Sequence, residues 1–312
     1  MPNSVDLSVS FAGLKLQTPL VLLSGCVGFG EEYTRVEGWD NRDIGAVILK
    51  GTTLEARMGN APHRVYETPS GMLNAIGLQN PGARYVVDHI LPELPHDETQ
   101  FWANANGTSP EEYAEVARIF DDSPVTAIEI NISCPNVKEG GVHFGNNPAM
   151  AARVVEAMRP HTSKPLITKL SPNSADIAET ARYVIEAGSD GLSVINTLVG
   201  MAVEIENRTP VIDNISGGLS GQYIKPVALW KIHQTRAIAA QHGIPILGQG
   251  GITNAKDAIE FAIVGSDAIG IGTGLFYDPL MCKGLLDELR AYLLKHDMAS
   301  YSELAGTLVT PH

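Results

Sequence analysis

The sequence predicts an α/β fold, a single (β/α)8 TIM barrel running from residue 1 to residue 312. Short β-prone runs, followed by Gly, Asn, Ser or Thr and then a helical stretch, recur eight times along the chain. Strands alternating with helices call for a parallel sheet, and eight such units close into a barrel. Gly-rich turns follow the last two runs, where barrels of this kind commonly hold a phosphate. The alternative, an open doubly wound sheet, would show fewer strands and an early Gly-rich dinucleotide turn.

In chain order the candidate strands are Leu20–Leu23, Ala46–Lys50, Phe101–Asn104, Ala127–Ile132, Leu166–Lys169, Gly191–Asn196, Ile244–Gly248 and Ala268–Gly272. Helical patterns follow at Pro110–Phe120, Asn147–Arg159, Ser174–Ala187, Lys225–Gln241, Asn254–Val264 and Pro279–Leu294. No short repeat or low-complexity tract interrupts them. The chemistry of such barrels sits at the C-terminal ends of the strands. Those ends carry Ser24-Gly25, Lys50-Gly51-Thr52-Thr53, Asn104, Asn131, Lys169 and Asn196-Thr197, then Gly250-Gly251 and Gly272-Thr273. The set is polar but hardly acidic, which argues against a metal site, since a metal would call for Asp, Glu and His.

Hydrophobic residues make up 44% of the chain and charged ones 18%, the balance of a globular protein with a large core. A net charge of −13 disfavours nucleic acid and anionic membranes as partners. No stretch approaches the roughly 20 apolar residues of a transmembrane helix, and no signal-peptide layout opens the chain. The three cysteines, Cys26, Cys134 and Cys282, are too few and too scattered for a disulfide framework, which fits a reducing cytoplasm. They also fall short of the four ligands that an iron–sulfur cluster normally takes. Cys26 and Cys282 read as packed thiols, and His143 as a solvated loop residue.

The segment Asn131-Ile-Ser-Cys-Pro-Asn136 leaves the fourth strand with a thiol between two carboxamides. A thiol exchanges protons near neutral pH, and amides read a flat hydrogen-bonding substrate without adding charge. The Gly-rich residues 136–145 behind it have the composition of a lid. Gly248-Gln-Gly-Gly251 and Gly270-Ile-Gly-Thr-Gly274 let backbone N–H groups approach phosphate oxygens. Lys50 and Lys169, each ending a strand on the same rim, suit an anionic cofactor and an anionic substrate. A cation near the N1/O2 side of a flavin stabilises its reduced anion; Lys169 suits that place, and Lys50 the gap between a flavin and a substrate carboxylate.

From about Val9 to Pro279 these residues resemble the catalytic subunit of class 1 dihydroorotate dehydrogenases, FMN-dependent barrels of pyrimidine synthesis. The resemblance rests on Ser24-Gly-Cys-Val-Gly-Phe-Gly-Glu-Glu-Tyr33, Lys50-Gly-Thr-Thr-Leu-Glu-Ala-Arg-Met-Gly-Asn60 and Gly71-Met-Leu-Asn-Ala-Ile-Gly-Leu-Gln-Asn-Pro-Gly82. It continues through Asn131-Ile-Ser-Cys-Pro-Asn-Val-Lys138, Lys169-Leu-Ser-Pro-Asn173, Ile195-Asn-Thr-Leu198 and Gly217-Gly-Leu-Ser-Gly221. It implies one FMN-binding barrel domain in which Cys134 is the base that removes the C5 proton of dihydroorotate. It implies a substrate cradle of Lys50, Asn74, Ala75, Ile76, Gly77, Leu78, Asn131, Asn136, Asn196 and Thr197. The FMN contacts it implies are Ser24, Lys50, Gly51, Asn104, Asn131, Lys169, Ile195, Gly221, Gly250, Gly251, Gly272 and Thr273.

Cys at position 134 separates the chain from the membrane-attached class, which resembles it but carries Ser there. The loop Asn74-Ala-Ile-Gly-Leu-Gln-Asn80 is more similar to the NAD-linked heteromeric type than to the fumarate-using homodimers. That likeness implies a homodimer core within a heterotetramer, with a partner subunit carrying FAD and a [2Fe–2S] cluster. The departures are Gly51, where the family usually has Ala or Ser, and Gln249. Two rival readings remain open: an FMN-dependent dihydropyrimidine oxidoreductase, which would not need Lys50, and a redox-silent phosphate-binding barrel.

Overall fold

The computed structural model describes residues 5–132 and 144–310. The first strands, β1 (Val9–Phe11) and β2 (Leu14–Leu16), form an antiparallel hairpin. Then come β3 (Leu20–Leu22), β4 (Ala46–Thr52), β5 (Val65–Thr68), β6 (Gly71–Asn74), β7 (Gln100–Ala105), β8 (Ala127–Asn131), β9 (Leu166–Leu170) and β10 (Gly191–Val194). The remainder are β11 (Leu198–Gly200), β12 (Val203–Glu204), β13 (Thr209–Pro210), β14 (Gly217–Gly221), β15 (Ile246–Gln249) and β16 (Ala268–Ile271). Eight of these close a parallel barrel in the order β3-β4-β7-β8-β9-β10-β15-β16, with β16 returning to β3. All eight expected strands are therefore barrel staves, with ends shifted by a residue or two.

The helices between them start where the side chains can cap them. Ser109, Asn147, Asp176 and Asn254 each accept a backbone N–H from the first turn of Pro110–Asp121, Pro148–Met158, Ile177–Glu186 and Ala255–Val264. In Ile177–Glu186 the buried residues Ile177, Thr180, Ala181, Val184 and Ile185 fall on one stripe, which packs onto the barrel. The helices Lys225–Gln241 and Met281–Lys295 complete the outer ring. Among the described residues no helix is long and apolar enough to cross a membrane.

The two ends of the barrel are built differently. At the N-terminal end Phe11 of the β1–β2 hairpin is fully buried, stacks on Trp102 at 5.6 Å, and abuts Gly191 at the start of β10. Two matching clamps lie nearby. Asp190 Oδ2 accepts from Arg159 Nη1 at 2.7 Å and from the Leu166 N–H at 2.8 Å. Asp267 Oδ2 accepts from Arg236 Nη1 at 2.9 Å and from the Ile246 N–H at 2.8 Å. Each Asp sits in a Gly-Ser-Asp tripeptide, and each Gly (Gly188 φ 106°, Gly265 φ 127°) lies against the stem of its Arg. The two copies of this small motif lie far apart in sequence, so no short period marks them.

At the C-terminal mouth stands a sheet that the strand pattern did not predict, in the order β11-β14-β6-β5 and wholly antiparallel. Its strands are insertions after β4 and after β10. They are short, Gly-rich and partly exposed, so neither alternation nor hydrophobicity marks them.

Candidate active site

The mouth sheet roofs a cavity of about 440 Å³ at the C-terminal ends of the staves. This size lies in the usual range for small-molecule and cofactor sites. Its lining includes Ser24, Lys50, Gly51, Asn74, Ile76, Gly77, Leu78, Asn131, Lys169, Ile195, Asn196, Thr197, Gly221, Gly250, Gly251, Gly272 and Thr273. Residues read from nine separate sequence segments thus share one wall. Ala75 and Asn104 do not reach it: both are fully buried behind it. Cys134, Asn136 and His143, with nearly all of the expected lid, lie outside the described residues.

The amide side of the cavity is assembled from three elements. Asn131 ends β8, and its carbonyl accepts the Tyr113 hydroxyl at 2.7 Å, which ties the strand end to the neighbouring helix. Asn196 follows β10 and donates through Nδ2 to Asn131 Oδ1 at 3.2 Å. Asn196 Oδ1 accepts the Thr197 N–H at 2.8 Å. Asn74 ends β6, pairs with Gly218 of β14 and donates to its carbonyl at 3.4 Å. The expected sixth strand stops at Val194, so Ile195, Asn196 and Thr197 belong to a loop that bends over the cavity.

Lys50 does not end its strand. β4 continues to Thr52, and its register against β7 shifts between Ile48 and Gly51. Such an irregularity re-aims a side chain, and Lys50 lines the cavity. Burial holds its ammonium below the usual lysine range, with Arg64 acting in the same direction. A Cβ at Gly51 would stand 2.9 Å from Asn106 Nδ2 and 3.0 Å from Asn104 Oδ1. That crowding is a local reason for Gly where the family it resembles usually has Ala or Ser.

Lys169 differs from its expected place on an open rim. It is only 6% exposed, and its Nζ lies 3.6 Å from Glu129 Oε2. Glu129 is fully buried inside the barrel, where Asn104 Nδ2 donates to Oε2 at 2.5 Å and Ser193 Oγ to Oε1 at 2.7 Å. Sequence reasoning missed Glu129 because a lone acid in an alternating run does not announce which face it takes. Asn104 therefore belongs to this buried network.

The opposite side is bare backbone. Gly250 (φ 129°) and Gly251 (φ 86°) follow β15, and a Cβ at Gly251 would stand 2.8 Å from the Gly221 carbonyl oxygen. Thr273 Oγ1 donates to Ser220 Oγ at 2.8 Å across this end. The capped helix Ala255–Val264 begins shortly after these glycines. Ser220, Thr253, Ile224 and Phe276 also line the cavity and were not singled out from sequence. Cys26 lines it too, and burial pushes its thiol up to about 11 despite the nearby Lys169 and Lys50. Cys282 is buried in the helix Met281–Lys295, where burial pushes its thiol up to about 12. Among the described residues no three His, Cys, Asp or Glu side chains converge as a metal would require.

The family model for dihydroorotate dehydrogenase matches residues 6–293. The chain belongs to the dihydroorotate dehydrogenase family. Its similarity to individual members of that family covers almost the whole chain. The catalytic subunit of dihydroorotate dehydrogenase B (NAD(+)) from Oceanobacillus iheyensis is 47% identical over 301 residues, 96% of this chain and 97% of that protein. The subunit of the same name from Listeria innocua is 47% identical over 304 residues, 97% and 98% of the two chains. That from Desulforamulus reducens is 44% identical over 306 residues, again 97% and 98%. Dihydroorotate dehydrogenases of this kind are flavin-dependent in general. The relatives' name, catalytic subunit, implies that those proteins work with a partner subunit.

Proposed function

We propose that this chain oxidises (S)-dihydroorotate to orotate in pyrimidine biosynthesis, with electrons leaving for NAD through a partner subunit. The observation that carries the reading is the two-sided cavity: Lys50, Asn74, Asn131 and Asn196 on one side, the Gly250-Gly251 backbone on the other. An anionic, flat, amide-rich substrate suits the first side. Lys50 meets its carboxylate, while the three carboxamides and Thr197 pair with the ring's N–H and C=O groups. This use of Lys50 favours dihydroorotate over an uncharged dihydropyrimidine.

The residues also fit flavin mononucleotide as the cofactor. Gly250 and Gly251 line the cavity with backbone alone, and a Cβ on either would collide with neighbouring protein atoms, a stretch suited to a phosphate. Ser24, Gly51, Lys169, Ile195, Gly221, Gly272 and Thr273 line the space between that cradle and the amides. A bound flavin supplies the acceptor for the hydride that leaves C6. Cys134, as thiolate, takes the C5 proton, so that the new C5–C6 double bond forms as both hydrogens depart. The amide cluster holds the ring in one orientation, an effect that contributes several kcal/mol in enzymes of this kind.

The test is anaerobic mixing of the purified yellow protein with dihydroorotate. Bleaching of the flavin band is expected; a colourless protein, or a band that stays unchanged, would refute the reading. The resemblance to the NAD-linked heteromeric type implies that the partner is a subunit with FAD and a [2Fe–2S] cluster; the three cysteines of this chain are too few to hold that cluster here. Two copies of the chain form the core of the resulting heterotetramer. Val65, Val199, Met201 and Ile205, all more than 45% exposed on or beside the mouth sheet, are apolar surface for such a contact. Alone, the chain should reduce dyes with dihydroorotate but form little NADH. Robust NADH formation by the isolated chain would overturn the heteromeric reading, and fast fumarate reduction would favour the homodimeric type.

A further inference from the structure

Glu129 is the one acidic side chain that the described strands place beneath the cavity floor, and neither the substrate nor the phosphate cradle calls for it. A buried carboxylate is costly unless paired and hydrogen-bonded. Here Asn104 and Ser193 each donate to one of its oxygens, and the Lys169 ammonium stands 3.6 Å away. Lys169 lines the cavity, whereas Glu129 does not. The lysine is therefore shared between the buried Glu129 carboxylate below and whatever occupies the cavity above. Lys50 from β4 and the protonated Cys26 thiol are the other titratable groups near the lysine.

We infer that Glu129 is a positioning residue and counter-charge that acts through Lys169 to hold the flavin's reduction potential down. The inference rests on the flavin reading above. A lone lysine beside the flavin would favour the reduced anion strongly and make a good electron sink. A fixed negative charge behind that lysine offsets part of its field, because buried charges are only weakly screened. The reduced cofactor then remains a strong enough donor to send electrons onward to an acceptor as weakly oxidising as NAD.

The substitution E129Q tests it with little steric change. The glutamine oxygen can still accept from Asn104, and its amide can donate to the Ser193 hydroxyl, which then acts as acceptor. Flavin midpoint potentials would be measured by dye-referenced titration, with saturating FMN, for wild type, E129Q, E129D, K169M and K169M/E129Q. E129Q is expected to lie above wild type, and E129D, which keeps the charge, closer to wild type than E129Q does. K169M/E129Q is expected above K169M; this pair carries the test if E129Q alone does not fold, since a buried ion pair replaced on both sides is usually tolerated. A potential in E129Q at or below wild type, or equal potentials in the two K169M proteins, overturns the inference. Flavin bound with unmoved potentials removes only the role of Glu129, whereas wild-type protein that binds no flavin removes the flavin reading as well.

Discussion

The two ends of this barrel turn their polar groups to opposite purposes. At the N-terminal end, Asp190 and Asp267 turn their oxygens onto the backbone N–H of a neighbouring stave and onto an Arg from the preceding helix. Their hydrogen-bonding capacity is directed at the protein itself. At the C-terminal end, Asn74, Asn131 and Asn196 reach the cavity wall, and Gly250 and Gly251 offer N–H groups with no side chain over them. The amides are bonded to one another and to the backbone, but on a wall that faces the cavity. A barrel separates stability from chemistry along its axis, and the two faces of this chain show how: closed polar clamps below, a cavity lined by amides and bare backbone above.

The sharpest way to break the comparison is at Cys134. Cys134→Ala is expected to keep its flavin and its thermal midpoint while flavin reduction by dihydroorotate falls by roughly 10²–10⁴, the range for loss of a general base. Cys134→Ser should retain a little rate that grows with pH. Stopped-flow reduction measures both, and a near-wild-type rate in the alanine variant at neutral pH would remove the thiol from the mechanism. The converse belongs at the other end. Asp267→Ala strands the Ile246 N–H and frees Arg236, and should cost about 1–3 kcal/mol of stability, a fall of a few degrees in calorimetry. Turnover per folded molecule should not change; a large loss of turnover would mean that the ends are coupled.

Gly251→Ala probes the upper end without touching the chemistry. Its new methyl would stand against the Gly221 carbonyl at a φ that L residues rarely adopt. A cost of about 1–3 kcal/mol should weaken FMN by roughly tenfold or more, read by flavin fluorescence on ultrafiltration. Binding equal to wild type would place the phosphate elsewhere. The smallest effect concerns the unused thiols. Cys26 and Cys282 are held near 11 and 12 by burial, so both keep their protons in the native state. That contribution is whole below about 9, where the unfolded thiols titrate, and is lost as the pH rises through the folded values. Cys282, which is buried, should resist iodoacetamide in the native protein at about pH 8 and react once it is unfolded, as peptide mapping would show, with the half-buried Cys26 of the cavity wall labelled sooner; fast native labelling of Cys282 would contradict its burial.

The sequence showed the barrel well and its mouth poorly, for reasons that differ by residue. The eight staves were legible because each apolar run stops at a residue suited to a turn, and caps such as Ser109 and Asn254 mark the helices that follow. Strands β5, β6, β11 and β14 were not, because Gly71, Gly217 and Gly218 carry no pattern that a periodicity can use. Part of the cavity wall was legible from polar groups at strand ends, while Asn74, Ile76, Gly77, Leu78 and Gly221 came only through the resemblance and Ser220, Ile224, Thr253 and Phe276 not at all. Ala75 and Asn104 were misplaced by one layer, because a residue next to a site and a residue in it share the same strand end. Glu129 was invisible for the same reason in reverse: its partners, Asn104, Lys169 and Ser193, come from three other strands.

The strand β14 lies along the whole cavity, with Gly218 beside Asn74 at one end and Gly221 beside Gly251 at the other. Added side chains would collide at each of its glycines: a Cβ on Gly217 would stand 2.5 Å from the Asn74 carbonyl oxygen, and one on Gly221 would stand 2.4 Å from the Gly71 Cα. Three of its five residues, Gly217, Gly218 and Gly221, therefore have no room for a side chain, while Ser220 and Gly221 line the cavity itself. A descendant that reshapes the cavity has to do so through the loops on either side and leave this strand as it is.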